Sequence, residues 1–518
     1  MSNDIVEHAR KKLDAEILVL QERIRSLRSS RNALSPIHRL PPEVMAQIFL
    51  WYQLLYRGNI EGSGRCAVSL PKWIRVTHVS QHWRNIALTS KTLYSTILTH
   101  HPQYSNEMLN RSGSVALSFI DSVNYGEQQL WDTPDLQELV VAALPRVRSL
   151  WLDHKSQEFL VPHFKTSDLT LELEELDLWE WNSFIPSMFS SSLRHLRLRW
   201  CPFRSYEWLI RLSNLVELRL LGATEGEVVA PDTLLGMLDG MPRLVYLELS
   251  SMLSPHNQEN RVSSIAPKLQ YLKLYDAPHQ LVGLLSWLSF APRFQIIVSV
   301  KPSDRIDWFM PFFEQIGRHL QQSSMKLRSA NLTWDDERPY KDGEMLFSED
   351  AEEEPCFRLE VHLKTMALFR TCMKSAEALP LDDLDSLTAD VPWDLVDWNH
   401  GQWHSLRSLR RLVLPKERTS IAYLGYLIAA EEEGQLSGEY ETFASLEELS
   451  LHGLQYGRDL KSKMQIVLAG RMKRGFKLRK LAFYDCNISE DSIKQLSKVV
   501  DVVERHGKKK MKKLSRAT

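Results

Sequence analysis

The chain has 518 residues, a quarter of them charged, and a formal net charge of -1. That length holds several domains and a large core, and the near-zero charge excludes a global field that would gather nucleic acid or an anionic membrane. Five cysteines lie far apart (Cys66, Cys201, Cys356, Cys372, Cys486), with no C-x-x-C pair and one left over in any disulfide scheme, which predicts a reduced, intracellular protein of the cytoplasm or nucleus. The polar start "MSNDIVEHARKK" carries no signal-peptide pattern. The most apolar window, "LVGLLSWLSFAPRFQIIVSV", is interrupted by Pro292 and Arg293, so no membrane span is expected.

Residues 1–35 predict one long helix. Val6, Leu13, Leu20, Leu27 and Leu34 recur every seven residues, Ile17 and Ile24 take intervening a positions, and Arg10 and Arg31 occupy two others. Two readings stand side by side: a coiled coil that makes a homodimer through residues 4–34, or an amphipathic helix that folds back on its own chain. Pro36 ends the helix, because a proline disfavours helical geometry in the residue before it.

Residues 36–98 form the next block, built on "IHRLPPEVMAQIF". Pro41 and Pro42 mark a helix start, since proline arrives with helical φ and has no N–H to waste in a first turn. Glu43 puts negative charge at that N-terminus, where the helix dipole favours it. Val44, Met45, Ile48, Phe49 and Tyr52 then recur at helical steps. After a glycine-bearing loop, a second apolar face runs through Val76, Val79, Trp83 and Ala87, and a third through Leu93, Tyr94 and Ile97 with Ser90 as its N-cap. These residues resemble an F-box. Its leading L-P-x-E is matched by Leu40, Pro41, Pro42 and Glu43, its isoleucine and phenylalanine by Ile48 and Phe49, and its V-C-x-x-W-R by Val79, Ser80, Trp83 and Arg84, with serine in place of the cysteine. "WIRVTHVSQHWRNIAL" looks most like the F-box-like domains of fungal proteins. The resemblance implies that Leu40, Pro41, Pro42, Glu43, Ile48, Phe49, Val79 and Trp83 bind a Skp-type adaptor, and through it a cullin–RING ubiquitin ligase.

From residue 99 to 506 the period changes to L-x-x-L-x-L. Its last two positions fall at Leu150 and Leu152, Leu176 and Leu178, Leu196 and Leu198, Leu218 and Leu220, Leu247 and Leu249, and Leu272 and Leu274. They return after residue 405 at Leu412 and Leu414, Leu449 and Leu451, and Leu481 and Phe483. "LRHLRLRWCPF" and "LRKLAFYDCNI" extend the pattern with Cys201 and Cys486 where leucine-rich repeats carry Asn or Cys, and the spacing of 20 to 29 residues suits that family. The predicted fold class is therefore α/β: a long N-terminal helix, a small helical F-box-like domain, and an irregular leucine-rich-repeat solenoid with parallel concave strands. Residues 335–355 are acidic and read as a mobile loop, as do 431–441, and 507–518 read as a basic tail, either a weak nuclear import signal or a solvated end.

No P-loop, H-E-x-x-H or G-x-S-x-G motif is present. The pair His78 and His82 has i, i+4 spacing and no third ligand nearby, so a surface or packing role is expected. The prediction is a binding protein rather than an enzyme, with no catalytic residue, metal or cofactor, and with nucleic acid disfavoured as a partner. Its role on the F-box resemblance is a substrate receptor that holds an unknown protein on its repeats. The alternative is a leucine-rich-repeat scaffold outside any ligase, dimerised through the N-terminal helix. If the leucines point inward, the alternate positions face the concave side. Trp151, Trp179, Arg197, Arg199, Arg219 and Tyr275 are then the candidate substrate residues, an aromatic platform edged with arginine. Two competing readings are that neighbouring segments bury the tryptophans, and that the arginines pair with Asp153 and Asp177.

Overall fold

The computed structural model describes residues 3–62, 72–99, 101–120, 133–166, 171–202, 206–222, 228–229, 231–253, 264–265, 269–276, 278–285, 288–289, 294–300, 309–322, 325–335, 342–349, 357–363, 365–391, 406–432, 443–454 and 458–507. The basic tail from 508, and residues 433–441 of the second acidic loop, lie outside them. The chain divides into two compact units, Met1–Phe203 and Arg204–Thr518. That boundary falls inside the stretch expected to be one solenoid.

The first unit opens with helix α1, Asn3–Ala33, whose seam residues are all exposed. After the 3-10 turn Pro36–Arg39 comes α2, Pro42–Gly62. The proline pair acts as the sequence predicts: Pro42 opens the helix, and the Pro41 carbonyl accepts the Met45 N–H at 3.1 Å. The turn Lys72–His78 leads to α3, Gln81–Thr89. Ser80, which stands where the F-box pattern has cysteine, caps α3 by accepting the Trp83 N–H at 3.2 Å. Ser90 makes no such side-chain cap; its hydroxyl donates back to the Ile86 carbonyl at 2.7 Å. Met45, Phe49, Trp73, Ile86, Ala87 and Leu93 form the interior of these helices.

Five strands follow in this unit: β1 Thr96–Leu98, β2 Leu117–Ile120, β3 Val147–Leu152, β4 Glu175–Trp179 and β5 His195–Arg199. Each pairs in parallel with the next. The sequence motif misses β1 and β2, whose residues do not spell L-x-x-L-x-L, and β1 falls within the stretch assigned to the helical domain. The motif leucines are register partners: Leu150 faces Leu176, which faces Leu196, and the 152–178–198 row lies beside them. All six are buried, which stabilises the ladder by about 1.5–3 kcal/mol for each side chain relative to exposure.

The second unit continues with β6 Glu217–Leu221, β7 Tyr246–Ser250, β9 Tyr271–Asp276 and β11 Phe294–Val300, again parallel neighbours, while β8 Ser264–Ile265 and β10 Leu288–Ser289 pair with each other apart. Then chain order and spatial order part. β12 Ser329–Asp335, β13 Asp342–Ser348 and β14 Phe357–Leu363 form an antiparallel meander. It enters the sheet backwards, with β14 parallel to β11 and β12 parallel to β15, Ser386–Asp390. The ladder resumes through β16 Arg411–Leu414, β17 Glu448–His452, β18 Lys480–Tyr484 and β19 Val502–His506, all parallel.

This corrects the middle of the loop expected over 335–355, of which 336–341 and 350–355 lie outside the described residues. Residues 342–348 are a strand paired on both sides, with Met345 and Phe347 fully buried. Averaging the stretch with its acidic flanks hides the alternation of Glu344 with the buried Met345 and Phe347.

The corners repeat as well as the strands. The residue after β4, β5, β6, β7, β17 and β18 is left-handed in each case: Glu180, Trp200, Gly222, Ser251, Gly453 and Asp485, with φ between 49° and 76°. Just beyond two of these corners, the Cys201 thiol donates to the Leu178 carbonyl and the Cys486 thiol to the Leu451 carbonyl, each at 3.4 Å. Both reach the preceding strand, and burial pushes the Cys201 thiol up to about 12. A parallel ladder with one recurring corner is compatible with a repeat solenoid.

Candidate docking surfaces

Helix α2 is apolar around most of its circumference. Met45 and Phe49, one turn apart, point inward, and Phe49 is only 1% exposed. Its ring packs 5.3 Å from that of Trp83. Val44, Ile48 and Trp51 form a second stripe at i, i+4 and i+7, and it is open: Ile48 is 41% exposed and Trp51 65%. Leu40, half-buried, lies four residues before Val44, with Pro41, Pro42 and Glu43 exposed beside it. Val79, at the end of the Lys72–His78 turn, is 55% exposed. A helix apolar on both sides ordinarily has a partner on both sides. Among the described residues, this one has its partner on the Met45–Phe49 side.

The eight residues matched to the F-box pattern therefore split. Pro41, Pro42, Glu43, Ile48 and Val79 are exposed, Leu40 and Trp83 are half-buried, and Phe49 is core. Phe49 is thus removed from the set that touches a partner directly; it holds α2 against Trp83. Trp51 and Val44 join the exposed stripe. Their signal was available as the i+3 and i−4 neighbours of Ile48.

The strand-borne candidates lie in both units, each described by itself. In the first unit one register row runs Leu98, Ile120, Trp151, Asp177, Arg197 across β1 to β5. Its first half is apolar and closed: Trp151 packs with Leu98, Ile120 and Tyr104 and is 7% exposed. Trp151 is a core residue and not part of an open platform, because the strands before it supply apolar neighbours that the motif did not reveal. The second half is polar. The nearly buried Asp177 carboxylate accepts from Arg197 at 3.1 Å and from Arg199 at 2.6 and 3.1 Å. Arg199 also lies 5.0 Å over the Trp179 ring, and Trp179 packs at a tilt against Trp200 with ring centroids 5.6 Å apart. Trp200, absent from the candidates because it sits at the corner rather than in the strand, is 48% exposed.

In the second unit Arg219 pairs with Glu217 at 2.5 Å and Glu248 at 3.6 Å, and its guanidinium lies 4.7 Å over the Tyr246 ring. Lys273 meets Glu248 at 2.9 Å. Tyr275 is half-buried, in a register row that continues through Ser299 to His362. The arginines on both units are matched by carboxylates, so the surface alternates in sign and does not carry the positive edge expected of it.

The His82 ring lies tilted against that of His38 at 4.8 Å, whereas His78 is exposed. Glu344, Glu360 and His362, on β13 and β14, are the group among the described residues whose ligand atoms lie close enough to hold a metal ion. Glu360 already accepts from Arg358 and His362, each at 2.7 Å. The His362 hydrogen bond holds the Glu360 carboxyl below its usual value, and the same bond raises the His362 imidazole. Nothing in the sequence marked this trio, since Glu344 fell in the expected loop.

No family model and no curated protein matches the chain. Among solved structures it is similar to a chain described as "Crystal structure of Rad7 and Elc1 complex in yeast", with TM-score 0.26 and 15% identity over 85% of this chain and 94% of that one. The likeness is too loose to carry an argument. No helix among the described residues is long and apolar enough to cross a membrane.

Proposed function

We propose that this chain is a substrate receptor: it docks a Skp-type adaptor through the α2–α3 region and offers the strand ladder to a protein substrate. The observation that supports it most is the open apolar stripe Val44–Ile48–Trp51, with Val79 beside it, on helices whose order and residues resemble an F-box. Such anchors concentrate binding energy, with about 2 kcal/mol or more lost on truncation at a hot spot. On this reading the protein performs no chemistry of its own. It raises the effective concentration of a substrate lysine near a charged ubiquitin carrier. The substrate surface has matched charges and aromatic rings at the half-buried Trp179 and the exposed Trp200, which suits a mixed polar and aromatic partner better than a uniformly acidic one.

A second reading, a scaffold outside any ligase, draws support from the exposed seam of α1. Affinity purification of the full chain separates the two. The receptor reading expects adaptor and cullin to co-purify, and Leu40→Ala with Pro41→Ala to abolish this while the repeats stay folded. Purification free of adaptor, or undiminished capture by the double variant, would rule out the mapping.

A further inference from the structure

The seam of α1 is exposed along the whole helix: Val6, Leu13, Leu20 and Leu27 at d, and Ile17 and Ile24 at a. Apolar residues in this number stay in water only until something covers them. The charges flanking the seam say what fits. With leucine at d, the g positions hold Glu16 and Arg23, the e positions hold Glu7, Asp14 and Arg28, and Arg10 and Arg31 fall at a; Asp14 would face the neutral Ala9 in a parallel pair and the neutral Gln21 in an antiparallel one.

In a parallel pair, Arg10 would face Arg10 and Arg31 would face Arg31 in the buried layers. The g-to-e contacts would set Arg23 against Arg28 twice. Like charges so placed oppose association. Reversing one helix changes every contact. When Ile17 of one copy lies against Leu20 of the other, Ile24 meets Leu13, and the flanking positions bring Glu16 to Arg23 and Glu7 to Arg28. The two-fold axis makes each contact occur twice. Arg10 then meets Leu27 and Arg31 meets Val6, where long side chains can lay their stems on the leucine and lift the guanidinium to solvent. The pairs already on the helix, Glu7–Lys11 at 3.2 Å and Glu22–Arg25 at 2.9 Å, are exposed and contribute too little to compete. Leu18 and Val19 lie off the seam and stay exposed in either arrangement.

We infer that α1 is a self-association element and that its occupant is a second copy of α1 in antiparallel register. The helix is roughly 46 Å long at 1.5 Å per residue, so the two exits toward Pro36 lie at opposite ends of the pair. Both copies of α2 then remain accessible at once. The inference stands apart from the receptor reading, since it uses no residue of the proposed adaptor surface.

The test uses the full-length chain in sedimentation equilibrium. The unaltered chain dimerises. Glu16→Arg alone and Arg23→Glu alone each weaken the dimer about tenfold, because each turns two attractive contacts repulsive. Mixing the two variants restores association, since the Glu16→Arg site of one then meets the Arg23→Glu site of the other with opposite charge. A parallel pair offers no such rescue. For orientation, Val6→Cys and Arg31→Cys chains are oxidised separately and together, with the unaltered chain as control for native thiols. The mixture gives a disulfide-linked dimer that neither variant gives alone. A chain that stays monomeric at every concentration, dimers unaffected by mixing, or self-linking of Val6→Cys would each overturn the proposal. Monomers would leave the fold-back reading or a foreign helix as the cover for α1.

Discussion

Leu176 on β4 and Ile48 on α2 are both aliphatic residues at regular spacing, yet Leu176 is fully buried and Ile48 is 41% exposed. The difference is in their neighbours. Leu176 lies between Leu150 and Leu196 in a continuous row, and each strand closes the row for the next. Ile48 is on a helix that has spent its other face, Met45 and Phe49, on the local core. In the ladder apolar residues hold the chain together; on α2 and α1 they stand exposed. The two regions should therefore respond in opposite ways to the same kind of substitution.

The largest effect is expected in the ladder. Leu176→Ala removes a buried side chain from the middle of its row and should cost about 2–5 kcal/mol, read as a lower denaturation midpoint. A loss below about 0.5 kcal/mol, the range of ordinary surface substitutions, would mean that the row does not hold the unit together. Next comes the meander. A Cβ on Gly343 would lie 2.5 Å from Phe369 and 2.6 Å from Trp334, so Gly343→Ala should destabilise by about 1–3 kcal/mol. Were 342–348 a solvated loop instead, the same change would be neutral or slightly stabilising, and equilibrium unfolding distinguishes the outcomes.

A smaller effect is expected from the Glu360–His362 pair along β14. Its hydrogen bond to Glu360 raises the pKa of His362, so the stabilisation from His362 is whole below the unfolded histidine value of about 6.5 and fades as pH rises through the raised folded value. Glu360 is held low mainly by His362; its share is present above the ordinary carboxylate range and is lost on acidification. Melting temperature followed against pH should show a declining alkaline limb that His362→Gln flattens. Identical limbs in both chains would dissociate the pair from stability. The His362 side chain is 40% exposed, so solvent screening keeps the effect modest.

The same contrast explains what the sequence could and could not tell. The leucine rows were legible because they repeat, and the repeat is itself the contact: motif leucines became register partners. The proline-led start of α2 was legible because proline's geometry is local. The meander was not, since antiparallel neighbours need no L-x-x-L-x-L, and Met345 and Phe347 sit among acidic residues. Trp151 and Trp179 show the limit most clearly. They occupy adjacent strands and alternate positions of one face, but Leu98 and Ile120 close over the first, and those strands left no motif. On α2, spacing identified Ile48 and Phe49 as apolar but not which would face inward; that choice depended on Trp83, thirty-odd positions away in sequence.

The claim that the open stripe on α2 is a docking site is tested most directly by isothermal titration of the purified full chain with a purified Skp-type adaptor. The account predicts saturable binding with a negative heat-capacity change from apolar burial. It also predicts that Ile48→Ala with Val79→Ala weakens binding about thirtyfold or more, the equivalent of roughly 2 kcal/mol, while the melting temperature stays within the small range of surface substitutions. Absence of binding by the unaltered chain, or equal affinity in the double variant, would contradict it.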